Sequence, residues 1–236
     1  MIKLVNKFGH EKMLPLTMHW WRVPLEIEVP SQPLYGRDGE VVTGKSRRRP
    51  RAFTLEGSIY HPGKSQIEQE ADALLAFLMQ MPLKVYRQHH HDRYLIAYPQ
   101  GAPQDWLDGG AELQLRIPMI AFDPLWYGPR VSLTLSGTQT VTVEGNMPTV
   151  PFIETAGSAS SLTVRNLTTG KEIIVASGTS GIIRVDSVNF VITIDGEENL
   201  NRANDAWKLY GFELLPGYNQ ISASTQIQMS YRPRWV

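Results

Sequence analysis

Cysteine is absent from the 236 residues, which excludes disulfides, thiolate chemistry and cysteine-ligated zinc or iron–sulfur centres. Net charge is absent too. The 23 Lys plus Arg are balanced by 23 Asp plus Glu, so the chain lacks the electrostatic footprint of a protein that lives by gripping phosphate backbones. No window approaches the ~20 apolar residues of a membrane span, and Met1–Leu16 lacks the unbroken apolar stretch of a secretory signal. The expectation is a soluble chain, synthesised in the cytoplasm and without a membrane anchor.

Hydroxyl side chains are scarce in one half and abundant in the other. Residues 1–130 contain 7 Ser plus Thr, whereas residues 131–236 contain 23, and all six His precede residue 92. Tyr127-Gly128-Pro129-Arg130 lies at the change, and Gly-Pro interrupts regular structure of either kind. Two domains are expected, 1–130 and 131–236.

The second domain reads as strands almost throughout. Val131–Leu135 and Thr140–Val143 alternate apolar and hydroxyl residues, and Leu162–Arg165, Lys171–Ala176, Gly181–Val185, Phe190–Ile194, Phe212–Leu214 and Thr225–Tyr231 continue the pattern. With no sustained helical period, this describes a β-sandwich. The first domain is mixed. Leu25–Val29, Ala52–Glu56, Leu83–Tyr86, Arg93–Tyr98 and Leu113–Ile120 read as strands, but Lys64–Met81 carries an apolar stripe of Ile67, Ala71, Leu74, Leu75 and Leu78, ended by Pro82. Ser65 and Glu68 have capping-box spacing. One helix is therefore expected to cover a sheet or barrel.

Four patterns invite a chemical reading. Gly39–Ser46 satisfies G-x-x-x-x-G-K-S, yet a phosphate loop must open a helix, and here Arg47–Arg51 with Pro50 leads into a strand. An exposed hairpin fits Val41 and Val42 better. Arg47, Arg48, Arg49 and Arg51 form one basic cluster in a neutral chain, and subunit or carboxylate pairing, or a solvated loop, explains it better than nucleic-acid contact. In His89-His90-His91 only the first and third could share a face, no third metal ligand is near, and a turn would leave them wet. The carboxylate pairs Glu26/Glu28, Glu68/Glu70 and Asp195 with Glu197 and Glu198 occupy an outer strand face, a polar helix face and a turn, and no nucleophile-elbow or zinc-protease motif occurs. No catalytic, cofactor-binding or metal-binding residue is assigned. Trp207, Tyr210 and Tyr218 are the residues that could stack on a sugar, with packing as their default role.

Longer stretches carry a resemblance. Arg51-Ala52-Phe53-Thr54-Leu55-Glu56-Gly57, Ala121-Phe122-Asp123-Pro124-Leu125-Trp126-Tyr127, Asn166-Leu167-Thr168-Thr169-Gly170, Ile183-Arg184-Val185-Asp186, Asp195-Gly196, Leu214-Leu215-Pro216-Gly217-Tyr218-Asn219 and Tyr231-Arg232-Pro233-Arg234-Trp235 resemble, in order, the distal tail proteins of long non-contractile-tailed bacteriophages. The resemblance implies a mostly β fold: a tail-tube-like β-barrel or sheet with one packed helix over 1–130, then a galectin-like β-sandwich over 131–236. It implies a structural virion component, not an enzyme, without cofactors. Six copies would form a ring at the distal end of the tail, between the tail tube protein and a tail-tip hub or fibre protein, with a channel for DNA and no sequence-specific nucleic-acid binding. A receptor-binding protein is a further partner, although the second domain lacks the long inserted arms that grip one in some family members, which favours a simple hub. The alternative is a carbohydrate-binding sandwich module contributing to host-surface adhesion.

Overall fold

The computed structural model describes residues 1–15, 17–20, 25–33, 40–87, 90–101, 104–108 and 112–236, with only the backbone described at 87, 90, 91, 104–108 and 210. The chain divides into two compact units, Met1–Trp126 and Tyr127–Val236.

Unit 1 contains β1 (Lys3–Val5), β2 (Glu11–Met13), β3 (His19–Trp20), β4 (Ile27–Glu28), β5 (Ser31–Pro33), β6 (Glu40–Val42), β7 (Arg47–Arg48), β8 (Arg51–Tyr60), α1 (Lys64–Leu78), β9 (Leu83–Arg87), β10 (His90–Pro99), β11 (Gln104–Asp108) and β12 (Glu112–Ala121). Its main sheet runs β2-β1-β9-β10-β12-β8-β3, with β11 beside β12, and is an open, curled half-barrel. The long central pair β12–β8 is antiparallel in unbroken register from Glu112–Tyr60 to Ala121–Arg51. Strict alternation fixes that register, because a one-residue slip would turn Phe53, Leu55, Ile117 and Met119 out of the core.

Helix α1 packs over β8 and buries Ile67, Leu74 and Leu78. Leu75, expected on the same stripe, is exposed, and Ala71 is half-buried. The capping box is also not made. The helix begins at Lys64 with Gly63 as its N-cap, so Ser65 falls inside the first turn, where its hydroxyl cannot cap. Trp20 joins two of the recognisable sequence stretches by packing edge-on against both Phe53 (4.9 Å between ring centroids) and Trp126 (5.2 Å). Gly57 is required where the residue before β3 lies against β8: a Cβ there would stand 2.4 Å from the Met18 Cα.

β13 (Trp126–Tyr127) spans the division between the units. Unit 2 continues with β14 (Val131–Val143), β15 (Phe152–Thr155), β16 (Ala159–Asn166), β17 (Lys171–Gly181), β18 (Ile183–Asp186), β19 (Val191–Ile194), β20 (Glu197–Glu198), α2 (Asp205–Tyr210), β21 (Gly217–Tyr231) and β22 (Arg234–Trp235). β21 pairs β14 along nearly its whole length. On its other side it pairs β16 at 221–223 and β15 at 227–230. The strand therefore feeds two leaves, β16-β17 and β15-β18-β19-β20, and Leu162, Val164 and Ile173 of one meet Ile153, Val185 and Ile192 of the other in a single core. This is the expected sandwich, with β14 and β21 shared by both leaves.

Three local readings change. Val131–Leu135 and Thr140–Val143 are one strand, not two: Gly137 (φ +66°) bends β14 but does not turn it back, because β21 continues opposite both halves. Phe212–Leu214 is not a strand and makes only an isolated bridge from Leu214 to Thr149. The stretch without an expected helix holds α2, which places Trp207 in the core. Among the described residues no helix is long and apolar enough to cross a membrane.

Candidate functional site

The exposed feature of unit 1 is a two-stranded arm. β4 pairs β7 (Ile27–Arg48, Glu28–Arg47) and β5 pairs β6 (Ser31–Val42, Gln32–Val41, Pro33–Glu40). Backbone bonds from Thr43 N to Pro30 O (2.9 Å) and Arg49 N to Glu26 O (3.0 Å) extend the two ladders. The register shifts by two residues between them, leaving Gly44-Lys45-Ser46 bulged opposite Val29. Every residue of β4, β5, β6 and β7 is exposed.

Alternation gives the base of the arm two unlike faces. Glu26 and Glu28 share one with Arg47 and Arg49, and the Arg49 guanidinium lies 3.7 Å from Glu26 and 3.5 Å from Glu28. Ile27 and Val29 share the other with Arg48, and both are about half exposed or more (60% and 49%). Ion pairs this open contribute little stability, and an isolated two-stranded hairpin is marginal in water. The arm is thus a surface in need of a cover.

The four arginines do not act as one cluster. Arg47 and Arg48 lie on β7 and Arg49 just beyond it, but Arg51 opens β8 inside the main sheet, opposite Ala121. The phosphate-loop match dissolves as well. Gly39 lies outside the described residues, Glu40–Val42 is strand β6, and Arg47–Arg48 is a strand where a nucleotide site would need a helix. His89 also lies outside the described residues, and of His90 and His91 only the backbone is described, at the start of β10. Among the described residues no group of three His, Asp or Glu could hold a metal.

In unit 2 the sugar-stacking candidates separate. Trp207 is fully buried, its ring 5.6 Å from that of Phe190, so neither face is available to a ligand, which corrects its candidacy. Tyr218 is exposed (76%), and of Tyr210 only the backbone, at the end of α2, is described. A polar groove of about 410 Å³ lies between the end of β17 and the β19–β20 turn, lined by residues such as Gly178, Asp195, Glu197 and Arg202 and by no aromatic side chain.

Two buried asparagines, unnoticed as a pair in the sequence, hold the turns at one end of this unit. Asn166 Nδ2 donates to Glu213 O (2.9 Å) and Asn219 Oδ1 (3.2 Å), while its Oδ1 accepts from the Thr168 N–H (3.0 Å). Asn219 accepts from the Leu215 N–H (2.9 Å) and donates to Leu215 O (2.7 Å) and Gly217 O (3.3 Å). Both are wholly buried. The Asn-Leu-Thr-Thr-Gly and Leu-Pro-Gly-Tyr-Asn stretches are therefore two halves of one clamp.

Residues 144–235 match the family model for the siphovirus-type tail component, C-terminal domain. Residues 144–235 form a domain of that family. Over its whole length the chain also shares the fold of the SPP1 Dit (gp 19.1) protein, described as a paradigm of the hub adsorption apparatus in phages infecting Gram-positive hosts, with a TM-score of 0.79, 17% identity and 100% of both chains covered. A chain of the phage P2 baseplate in its activated conformation with Ca is similar at a TM-score of 0.58, 9% identity and 98% and 97% coverage, and the same baseplate with Sr gives 0.57, 8% and the same coverage. No curated protein matches. The resemblance to distal tail proteins is borne out, by family in unit 2 and by fold throughout. The match over residues 144–235 supports a structural role in the phage tail.

Proposed function

We propose that this tail component is the distal tail protein of its phage: six copies close into a ring that joins the tail tube to the tail-tip hub or fibre and leaves a channel through which DNA passes without sequence-specific contact. Residues 1–130 form the ring and 131–236 form the galectin-like sandwich. The observation that carries this reading is the arm. A hairpin whose described strands are exposed, with one charged and one apolar face, on a fold shared end to end with a hub protein, gains its stability by lying against a neighbouring copy. A contact that joins one surface to a different one on the next copy closes into a ring when the rotation fits. The ring is built into the virion at the distal end of the tail, after synthesis of the chain in the host cytoplasm. No catalytic activity and no cofactor are assigned to it. The groove in unit 2 is not assigned a saccharide, so the adhesion-module alternative has no specific support.

Light scattering and electron microscopy of the purified chain test the proposal. Six chains of 26.6 kDa give a species of about 160 kDa with a central hole. A chain that stays monomeric at high concentration and in the presence of its tube protein would sink it.

A further inference from the structure

The sheet of unit 2 has a long free edge. Among the described residues β14 pairs only β21, and no backbone hydrogen bond reaches its opposite side. The strand is 13 residues long, with neither proline nor charge between Val131 and Val143, and its outward side chains, from Ser132 to Thr142, are exposed. Natural sheets seldom leave such an edge open. They shorten it, charge it or cover it, because its unpaired N–H and C=O groups template another strand.

The sequence of this edge names its own partner. Read in the opposite direction about Gly137, an antiparallel second copy sets Val131 against Val143, Leu133 against Val141 and Thr134 against Thr140, so apolar residues meet apolar ones on the core side and hydroxyls meet hydroxyls on the other. Only Leu135 opposite Gln139 is mismatched. At both ends, one residue beyond the strand, Arg130 of one copy meets Glu144 of the other. Both are exposed, and neither makes an ion pair with a described residue of its own chain. Arg130 is already held in place, donating to the Ser230 hydroxyl at 2.6 Å and lying 5.9 Å from the Phe152 ring.

We propose that the β14 edge is a two-fold docking surface for a second copy of this chain, joining two sandwiches into one continuous sheet. Such a contact uses the same strand on both copies and so cannot close a ring. It links two free chains, or two chains from separate rings, and leaves the arm untouched. Entry into a tail would then require this edge to be released or handed to another strand.

The test is the full-length chain in sedimentation velocity over a concentration series, with each variant's melting curve recorded to show that it is folded. The wild type is expected to form species of doubled mass. Arg130→Glu and Glu144→Arg should each weaken the doubling about five- to tenfold by placing like charges at both ends, and the double exchange, which restores opposite charges, should recover it. Thr134→Lys with Thr140→Lys puts like charges opposite each other at mid-strand and should abolish doubling without touching Arg130. Replacing Arg47, Arg48 and Arg49 by Ser should weaken the ring and leave the doubling, so that the two proposals fail separately. An undoubled wild type, single exchanges with no effect, a double exchange that recovers nothing, or an edge occupied by a strand of another tail protein while the chain itself never pairs would each overturn the assignment.

Discussion

The arm of unit 1 and the asparagine clamp of unit 2 are both extended or turning chain at the margin of a sheet, and they are satisfied in opposite ways. Around Asn166 and Asn219 the turn groups find partners inside the same unit, down to side chains with no exposed surface. Along 26–49 none of the described arm residues is fully buried, and their ion pairs stand in water. A region that completes its own hydrogen bonds and core belongs to the fold, whereas one that leaves a whole hairpin uncovered belongs to an assembly.

This contrast can be broken by substitution. The largest effect is expected from Trp207→Ala. Removing the largest fully buried side chain leaves a cavity in the sandwich and should cost about 3–5 kcal/mol of unfolding free energy, read from denaturant titration. Asn219→Ala comes next. The Leu215 N–H and two carbonyls lose their partner in a buried site, at about 1–3 kcal/mol. If that variant melts like the wild type, the clamp does not hold the turns. Replacing Arg47, Arg48 and Arg49 by Ser should change the stability of the unassembled chain by less than about 0.5 kcal/mol, yet weaken ring formation in a salt-dependent way. A large loss of monomer stability would instead make the arm part of the fold.

The smallest effect concerns pH. Burial, with a lesser contribution from the Glu144 charge, raises the Tyr231 phenol above its ordinary value near 10, and its hydroxyl donates to Thr142 O at 3.0 Å. The folded state then holds this proton more tightly than the unfolded state. Its contribution is whole below about pH 10 and is lost as the pH rises through the folded value. Tyr231→Phe should flatten that alkaline decline, and an unchanged decline would place its cause elsewhere.

Alternation and one amphipathic helix were enough to read most of the framework, because β8, β9, β10, β12 and α1 each keep one buried face whose period survives in the residues. Breaks between elements were harder to place. Gly137 has the composition of a turn, and only the length of β21 opposite makes it a bend. Ser65 has the spacing of a cap, but the preceding Gly63 takes that place. Trp207 stands among irregular, polar residues, and its burial depends on a six-residue helix too short to show a period. In the arm, Val41 and Val42 announced extended chain. The separation of Arg51 from Arg47, Arg48 and Arg49 could not be read, because residues adjacent in sequence give no sign that Pro50 divides hairpin from sheet.

The position of β21 sets an order of events during synthesis. This strand, Gly217–Tyr231, joins β14, β15 and β16, and its pairing with Val131 closes a loop of about a hundred residues. A ribosome emits it after all three. Unit 1, complete by residue 126, can fold while unit 2 is still being made, but the sandwich must wait, with β14 unpaired and its two leaves unjoined, until β21 emerges. A message cut short before Gly217 would therefore yield a first unit followed by a Ser/Thr-rich segment that never closes into a sandwich.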